Sequence, residues 1–195
     1  MKTRIKKNFW REVAGAALVL GWLAVHPAAA DDFLATGPML DARMSHTATL
    51  LPDGKVLFIG GISAWKPRSG FQELYDPLTG TWSGAAAPTD IRRDHTATVL
   101  RDWRVLVVGG QGVEFGPEAE QRDRVIRIGL LATAELYEPA SGTWTKSAHR
   151  MTTARFAHTA TLLTNGKVLI AGGSVTGDSS TELYVPDDAS HYGAF

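Results

Sequence analysis

Short apolar runs separated by turn residues recur along this chain, and they predict β-strands. In the first occurrence, residues 46–51 form an apolar and β-branched run that ends at an Asp-Gly pair, which favours a hairpin turn. The continuous apolar run Val56–Ile59 has the length of a strand that is covered on both faces. Two further runs, over 71–75 and 81–83, flank a Pro-x-x-Gly turn. The pattern predicts a meander of four antiparallel strands.

The chain contains this pattern three times. In each copy a histidine precedes a glycine pair by the same interval, and Glu-Leu-Tyr follows; in the first two copies a tryptophan comes after the tyrosine, again at one fixed interval. This self-similarity indicates a repeat array. The motif residues are His46, Gly60, Gly61, Tyr75 and Trp82; His95, Gly109, Gly110, Tyr137 and Trp144; and His158, Gly172, Gly173 and Tyr184.

A single sheet of this composition would leave two apolar faces in water, so each sheet must stack on its neighbours. The tyrosine of each copy and the tryptophan of the first two lie on the outer hairpin, where large side chains can fill the space that widens as sheets fan outward. Fanned four-stranded antiparallel sheets are the blades of a β-propeller. The chain is therefore predicted to be all-β.

The repeated motif resembles the kelch repeat: four apolar residues, a glycine pair, and then a tyrosine and a tryptophan at a fixed separation. The Arg-x-x-His phrase before each first strand (Arg43, Arg92 and Arg155) and the phrase Glu-Leu-Tyr-x-Pro-x-x-Gly-x-Trp resemble secreted bacterial kelch proteins in particular. The resemblance covers roughly residues 33–192. It implies kelch-type β-propeller blades, whereas function differs widely between proteins that share this fold.

The pattern of residues 1–30 predicts a signal peptide, and the resemblance implies a kelch-repeat domain over 31–195, with blades near 40–84, 90–146 and 152–192. Phe33 precedes His46 by the same interval by which Trp82 precedes His95, so 31–39 is a candidate closing strand for the last blade. No tryptophan follows Tyr184; His191 takes that place.

About three blades form an incomplete ring, because propellers have typically 4–8. Two explanations stay open: the chain is a truncated piece of a longer array that supplies additional blades, or two copies form a homodimer with six blades. The sequence favours the partial array.

Residues 1–30 have the order of a secretory signal peptide. A basic start is followed by the apolar run 13–25 and by small residues, with Ala28 and Ala30 before Asp31. The apolar run is shorter than the roughly 20 residues that span a membrane. We expect cleavage, a mature protein without a membrane segment, and a secreted or periplasmic location.

Charge and cysteine content narrow the classes of function. Residues 1–30 hold five basic and one acidic side chain, which leaves 15 basic and 19 acidic residues out of 20 each for 31–195. A mildly acidic domain without a basic stripe argues against nucleic acid as a partner. The chain has no cysteine, so disulfides, thiolate nucleophiles and cysteine-bound zinc are excluded within it.

The three motif histidines invite a zinc hypothesis, because they would converge near one axis. Each has an arginine three positions before it, and neighbouring cations oppose metal binding. Their presence in every copy favours a structural role, with the rings bonded to backbone of the same or the next blade. No catalytic residue, metal ligand or cofactor is predicted.

The segments between the glycine pair and the next tyrosine differ in length: they cover 62–74 in the first copy, 111–136 in the second and 174–183 in the third. Variable loops on a rigid scaffold are the usual carriers of recognition. Candidate binding residues are Trp65, Lys66 and Arg68 in the first insert, and Glu114, Phe115, Arg122 and Arg124 in the second. A solvated excursion is the equally weighted alternative for the second insert.

These observations predict a non-catalytic exported binding module that recognises protein or glycan through loops on one face. The alternative is the propeller domain of a carbohydrate-active enzyme, since galactose oxidase and sialic acid mutarotases carry kelch-type propellers. Galactose oxidase needs a Cys–Tyr cross-link that this chain cannot make. A truncated, non-functional fragment is the third interpretation.

Overall fold

The computed structural model describes residues 33–63, 72–115, 125–173 and 179–186, and every regular element in these ranges is a β-strand. The fold is all-β, as predicted. The strands are β1 Thr47–Leu50, β2 Val56–Ile59, β3 Gln72–Asp76, β4 Thr81–Ala85, β5 Arg92–Arg93, β6 Thr96–Val99, β7 Val105–Val108, β8 Gln111–Phe115, β9 Val125–Leu130, β10 Ala134–Glu138, β11 Thr143–Lys146, β12 Thr159–Leu162, β13 Val168–Ala171 and β14 Thr181–Tyr184.

The first two copies each form a four-stranded antiparallel sheet. Sheet I has the order β1-β2-β3-β4, and sheet II has the order β6-β7-β10-β11. The register of the outer hairpins is the same in both, because Tyr75 pairs with Trp82 and Tyr137 pairs with Trp144. The ring centroids of these two pairs are 5.0 Å and 5.1 Å apart. The repeated sequence therefore produces repeated packing.

Sheet III has three strands in the described part of the chain, in the order β12-β13-β14. A fourth strand after Tyr184 would fall on 187–192, which lies outside the described residues. The candidate closing strand over 31–39 does not form where it is described, because residues 33–39 lie outside the strands. Instead, the Gly37 carbonyl accepts a hydrogen bond from the Trp82 indole at 2.9 Å.

The second insert corrects the prediction of a loop. Its flanks form a hairpin of β8 and β9. Strand β8 also pairs with β5, which lies in the segment that leads into sheet II. We call this three-stranded unit the side sheet. Its outer hairpin carries a register shift at Glu114 and Phe115. The insert thus begins as ordered structure continuous with the glycine pair of sheet II.

The hydrophobic core lies between the sheets. One cluster joins Leu57 and Ile59 of sheet I to Val105 and Val107 of sheet II, all with no exposed surface. A second cluster joins the opposite face of sheet II to sheet III, where the fully or almost fully buried residues are Leu106, Val108, Val168 and Ile170. Strand β7 therefore contacts both neighbours, which explains its uninterrupted apolar sequence.

The glycine pairs allow the sheets to approach closely. Gly109 has a φ of +64°, and a Cβ there would lie 2.6 Å from the Arg155 carbonyl oxygen and 2.8 Å from His158 Cε1. Both groups belong to the segment that leads into sheet III. Only a residue without a side chain fits this junction.

Replacing Gly109 with alanine should destabilise the protein much more than replacing Gly80, which tests the close approach. Both residues have φ near +65° (+64° and +68°), but a Cβ at Gly80 would meet no atom within 4 Å in the part of the chain that the structure describes. The left-handed backbone costs either alanine about 1–2 kcal/mol. At Gly109 the overpacking adds roughly 1–3 kcal/mol. Urea unfolding of both variants measures the difference, and equal losses would contradict the packing described.

Candidate functional site

A buried ion pair holds the segment that leads into sheet II. Arg92 Nη2 lies 2.7 Å from Glu135 Oε1, and neither side chain has exposed surface. The same carboxylate accepts hydrogen bonds from the backbone N–H groups of Thr89 and Asp90, at 2.7 Å and 3.0 Å. Arg92 Nη1 donates to the Gly109 carbonyl at 2.9 Å. Glu135 therefore fastens the incoming segment to the sheet, and Arg92 fastens it to the end of β7.

The same arrangement occurs in the other two sheets. Glu73 pairs with Arg43 and accepts from the backbone of Leu40 and Asp41. Glu182 pairs with Arg155 at 2.9 Å and accepts from Thr152 and Thr153 at 2.6 Å and 3.2 Å. We call each Arg–Glu pair with its two backbone N–H groups an arginine cradle.

In the cradle of sheet III, the pKa of the Glu182 carboxylate is lowered, which shows that its surroundings favour the charged form. Burial raises the pKa of Glu182, but hydrogen bonds from Thr152 and Thr153 and the charge of Arg155 outweigh burial and lower it. Glu182 is therefore ionised at neutral pH and can compensate the buried guanidinium.

The motif histidines link one sheet to the next. His95 Nε2 lies 2.9 Å from Thr47 Oγ1 in sheet I, and His158 Nε2 lies 2.9 Å from Thr96 Oγ1 in sheet II. The bonds thus go to a threonine side chain of the preceding sheet rather than to backbone. The Nδ1 atoms of all three motif histidines are buried without a hydrogen-bond partner among the described residues.

The surroundings of these histidines favour the neutral ring. Burial, and then the positive charge of Arg92, lowers the pKa of His95 to about 3. Burial and Arg155 lower the pKa of His158 to about 4. Burial and Arg43 also lower the pKa of His46. A neutral imidazole can accept a hydrogen bond from the threonine hydroxyl or donate one to it, and it places no charge in the buried junction.

The described ranges contain no group of three or more His, Cys, Asp or Glu residues that could hold a metal ion. No helix within them is long and apolar enough to cross a membrane. The repeated side chains near the glycine pairs bind other parts of the protein.

A cavity of about 230 Å³ lies between sheets II and III, beside the outer edge of β14. Its lining includes His149, Met151, Ile170, Leu183 and Tyr184. In sheet II the corresponding tyrosine is stacked by Trp144, whose indole donates to the Ala86 carbonyl at 2.8 Å. His149 precedes His158 by the same interval by which Ala86 precedes His95. The cavity therefore occupies the place of an outer-strand tryptophan.

The structure does not describe the side chains of the predicted binding residues. Trp65, Lys66 and Arg68, with Arg122 and Arg124, lie outside the described residues. Glu114 and Phe115 fall in β8, where only the backbone is described. The base of this hairpin is held in place, since Arg93 donates to Gln111 Oε1 from Nε at 3.1 Å and from Nη2 at 2.7 Å.

Sequence reasoning missed the arginine cradles and the cavity. The signal for the cradles was present, because a glutamate stands two positions before each motif tyrosine and an arginine three before each motif histidine. The signal for the cavity was the missing tryptophan after Tyr184.

Together these features define an all-β protein with a propeller-like fold. Sheets I to III correspond to blades, and they do not close a ring in the described part of the chain. Among the solved structures that share this fold is YjhT, with a TM-score of 0.52 and 18% sequence identity. The similarity covers 71% of this chain and 36% of YjhT, so the chain spans little more than a third of that protein. No protein-family model matches the chain. No curated protein matches it significantly.

The stability of the protein should fall as the pH drops below 6.5, because the folded state keeps His95 neutral. The pKa of His95 is about 3 in the folded protein, against an ordinary value of 6.5. The unfolded chain therefore binds a proton that the folded chain rejects, and the stability present above pH 6.5 is lost progressively toward pH 3. Urea unfolding should show a loss on the order of 1–2 kcal/mol between pH 7 and pH 5 from this residue.

The His95→Gln variant should have a smaller loss over that interval. His149→Gln is the matched control, because His149 is exposed. Equal pH dependence of the wild type and His95→Gln would show that His95 is not buried as described.

Proposed function

We propose that this protein is an exported, non-catalytic binding module that recognises a partner protein through the face that carries the side sheet. The observation that supports this most is the contrast between the scaffold and the insert. The repeated arginines, glutamates and histidines bind each other and the neighbouring sheets, whereas the hairpin of β8 and β9 is an addition to the meander, in the copy with the longest insert.

The topology of the meander supports a common face for the variable segments. In each sheet the turns before the second strand and after the third strand lie at one edge. The connection from the second strand to the third and the segments between sheets lie at the opposite edge, with the arginine cradles. The described ends of the three variable inserts therefore lie at the same edge of their sheets, next to the arginine cradles, which supports recognition by this edge.

The composition of the second insert favours a protein partner over a glycan. Residues 111–127 contain four acidic and three basic side chains beside one aromatic residue. Mixed charges in an insert whose flanks form a hairpin suit complementary charges on another protein, where they contribute to specificity and to the association rate. Export is supported by the signal-peptide pattern of residues 1–30.

The enzyme alternative is compatible with the likeness to YjhT, which concerns the fold alone. A propeller domain of a carbohydrate-active enzyme would need groups that this chain does not assemble in its described part. The whole array to which such blades belong would have to supply them.

A photo-crosslinking residue at position 115 should form a discrete adduct with a protein of the compartment to which the chain is exported. The same residue at Leu78, which is 92% exposed in the β3–β4 turn on the opposite edge, is the matched control. The partner, identified by mass spectrometry and purified, should bind the intact chain in calorimetry. It should bind a variant with 113–127 replaced by a short Gly-Ser link at least about tenfold more weakly, or ~1.4 kcal/mol.

Equal affinity for the two proteins, or an adduct at position 78 but not at 115, would contradict the proposal. Binding of glycans on an array that survives the replacement would instead favour glycan recognition by another surface. Turnover of galactose or of a sialic acid by the purified chain would establish the enzyme alternative.

A further inference from the structure

We call the face of a sheet that packs on the preceding sheet its leading face, and the opposite face its trailing face. Each junction within the array joins the trailing face of one sheet to the leading face of the next. The two ends of the described array therefore present one face of each kind. The leading face of sheet I and the trailing face of sheet III have no neighbouring sheet within the ranges that the structure describes.

The leading face of sheet I is built like a buried face but is exposed. In sheets II and III the second and fourth residues of the first strand pack into the clusters shared with the preceding sheet, as Ala97 and Val99 do. Their counterparts in sheet I are Ala48 and Leu50, and Leu50 is 65% exposed. An aliphatic residue at this position in all three copies predicts the same burial in all three.

The trailing face of sheet III shows the opposite half of the junction. Thr49 of sheet I is 7% exposed beneath sheet II, whereas its counterpart Thr161 is exposed. Gly109 is closed by the Arg155 carbonyl and the His158 ring of the next sheet, whereas a Cβ at Gly172 would meet no atom of the described residues within 4 Å. Gly172 keeps the left-handed φ of +78° and the open space that an incoming Arg-x-x-His segment needs.

We propose that the trailing face of sheet III binds the leading face of sheet I of a second copy of this chain. The second copy supplies Arg43 and His46 in the place that Arg155 and His158 take against sheet II. Two such contacts, related by a two-fold axis, join six sheets head to tail, which is a number that propellers adopt. The apolar faces at both ends are then covered.

The cavity beside β14 fits the same arrangement. The outer strand of each sheet directly precedes the segment that leads into the next sheet. Residues just before Gly37 of the second copy would therefore run beside β14. Phe33 has the spacing to its histidine that Trp82 has, and it is fully exposed. In the pair, the Phe33 ring of the second copy fills the cavity against Tyr184.

The segment that follows Phe33 is held at sheet I of its own chain. Gly37 is held in sheet I by Trp82, and Leu40 is held there by Glu73. The stretch from 33 to 36 spans at most about 14 Å when extended. Stacked sheets lie about 10 Å apart, so sheet III lies roughly 20 Å from sheet I. A second copy is therefore the donor that the geometry allows.

Light scattering of the purified chain should give twice the mass of one chain. Leu50→Arg blocks the leading face, and Thr161→Arg blocks the trailing face; both positions are exposed in the single chain, so each variant should fold and be monomeric. Leu78→Arg places the same charge on an exposed turn and should leave the mass doubled.

Mixing the two monomeric variants should restore a species of twice the mass, because one intact junction then forms between the Thr161→Arg leading face and the Leu50→Arg trailing face. This result is specific to a head-to-tail contact. A monomeric wild-type chain, a ladder of larger assemblies, or no association on mixing would each overturn the proposal. Far-ultraviolet circular dichroism of each variant confirms that the sheets are retained.

Discussion

The structure depends on the burial of one arginine in each sheet. A buried guanidinium is costly unless a carboxylate and further acceptors surround it. Arg92 meets this condition because Glu135 and the carbonyl of Gly109 accept its hydrogen bonds at 2.7 Å and 2.9 Å. The carbonyl of Arg92 in turn accepts from the Gly61 N–H of sheet I at 2.9 Å. One residue thus joins its own sheet to the sheet before it.

This constraint explains why the repeat is longer than four strands require. The segment before each first strand must return along the end of its own sheet, where the glutamate holds its backbone, before it reaches the arginine and the histidine. The histidine then bonds to a threonine of the preceding sheet, and the glycine pair leaves room for this contact. Strand, cradle and junction are consecutive parts of one sequence motif.

The strands could be predicted because their signals are local. The apolar run Val56–Ile59, the turn glycines and the repeated tyrosines specify a meander within a short stretch of chain. The arginine and the glutamate of the cradles also repeat in the sequence, but their pairing is not local, because Glu135 lies far along the chain from Arg92. The hairpin of β8 and β9 was not predicted for another reason. The charged sequence between its strands resembles that of a solvated loop, and β8 pairs with a strand, β5, of only two residues.

The proposed recognition surface and the ends of the array follow different physical rules. Motif residues repeat because every junction needs the same contacts, so a copy that lacks a neighbour reveals an interface. Inserts differ because the scaffold does not depend on them. Sequence variation is the basis of the proposal for the side sheet, and sequence repetition indicates contacts between sheets.

The free energy of unfolding of Glu135→Gln tests this account most directly. The substitution removes the fully buried carboxylate and leaves the partly exposed Asp90 carboxylate, 3.3 Å from Arg92 Nη2, as the counter-charge. We therefore expect a loss of about 3 kcal/mol in urea unfolding, the lower end for a broken buried pair. Asp102→Asn is the control, because it removes the carboxylate from the Arg104–Asp102 pair at the surface and should cost less than about 1 kcal/mol. Equal, small losses for the two variants would contradict the central role of the arginine cradle.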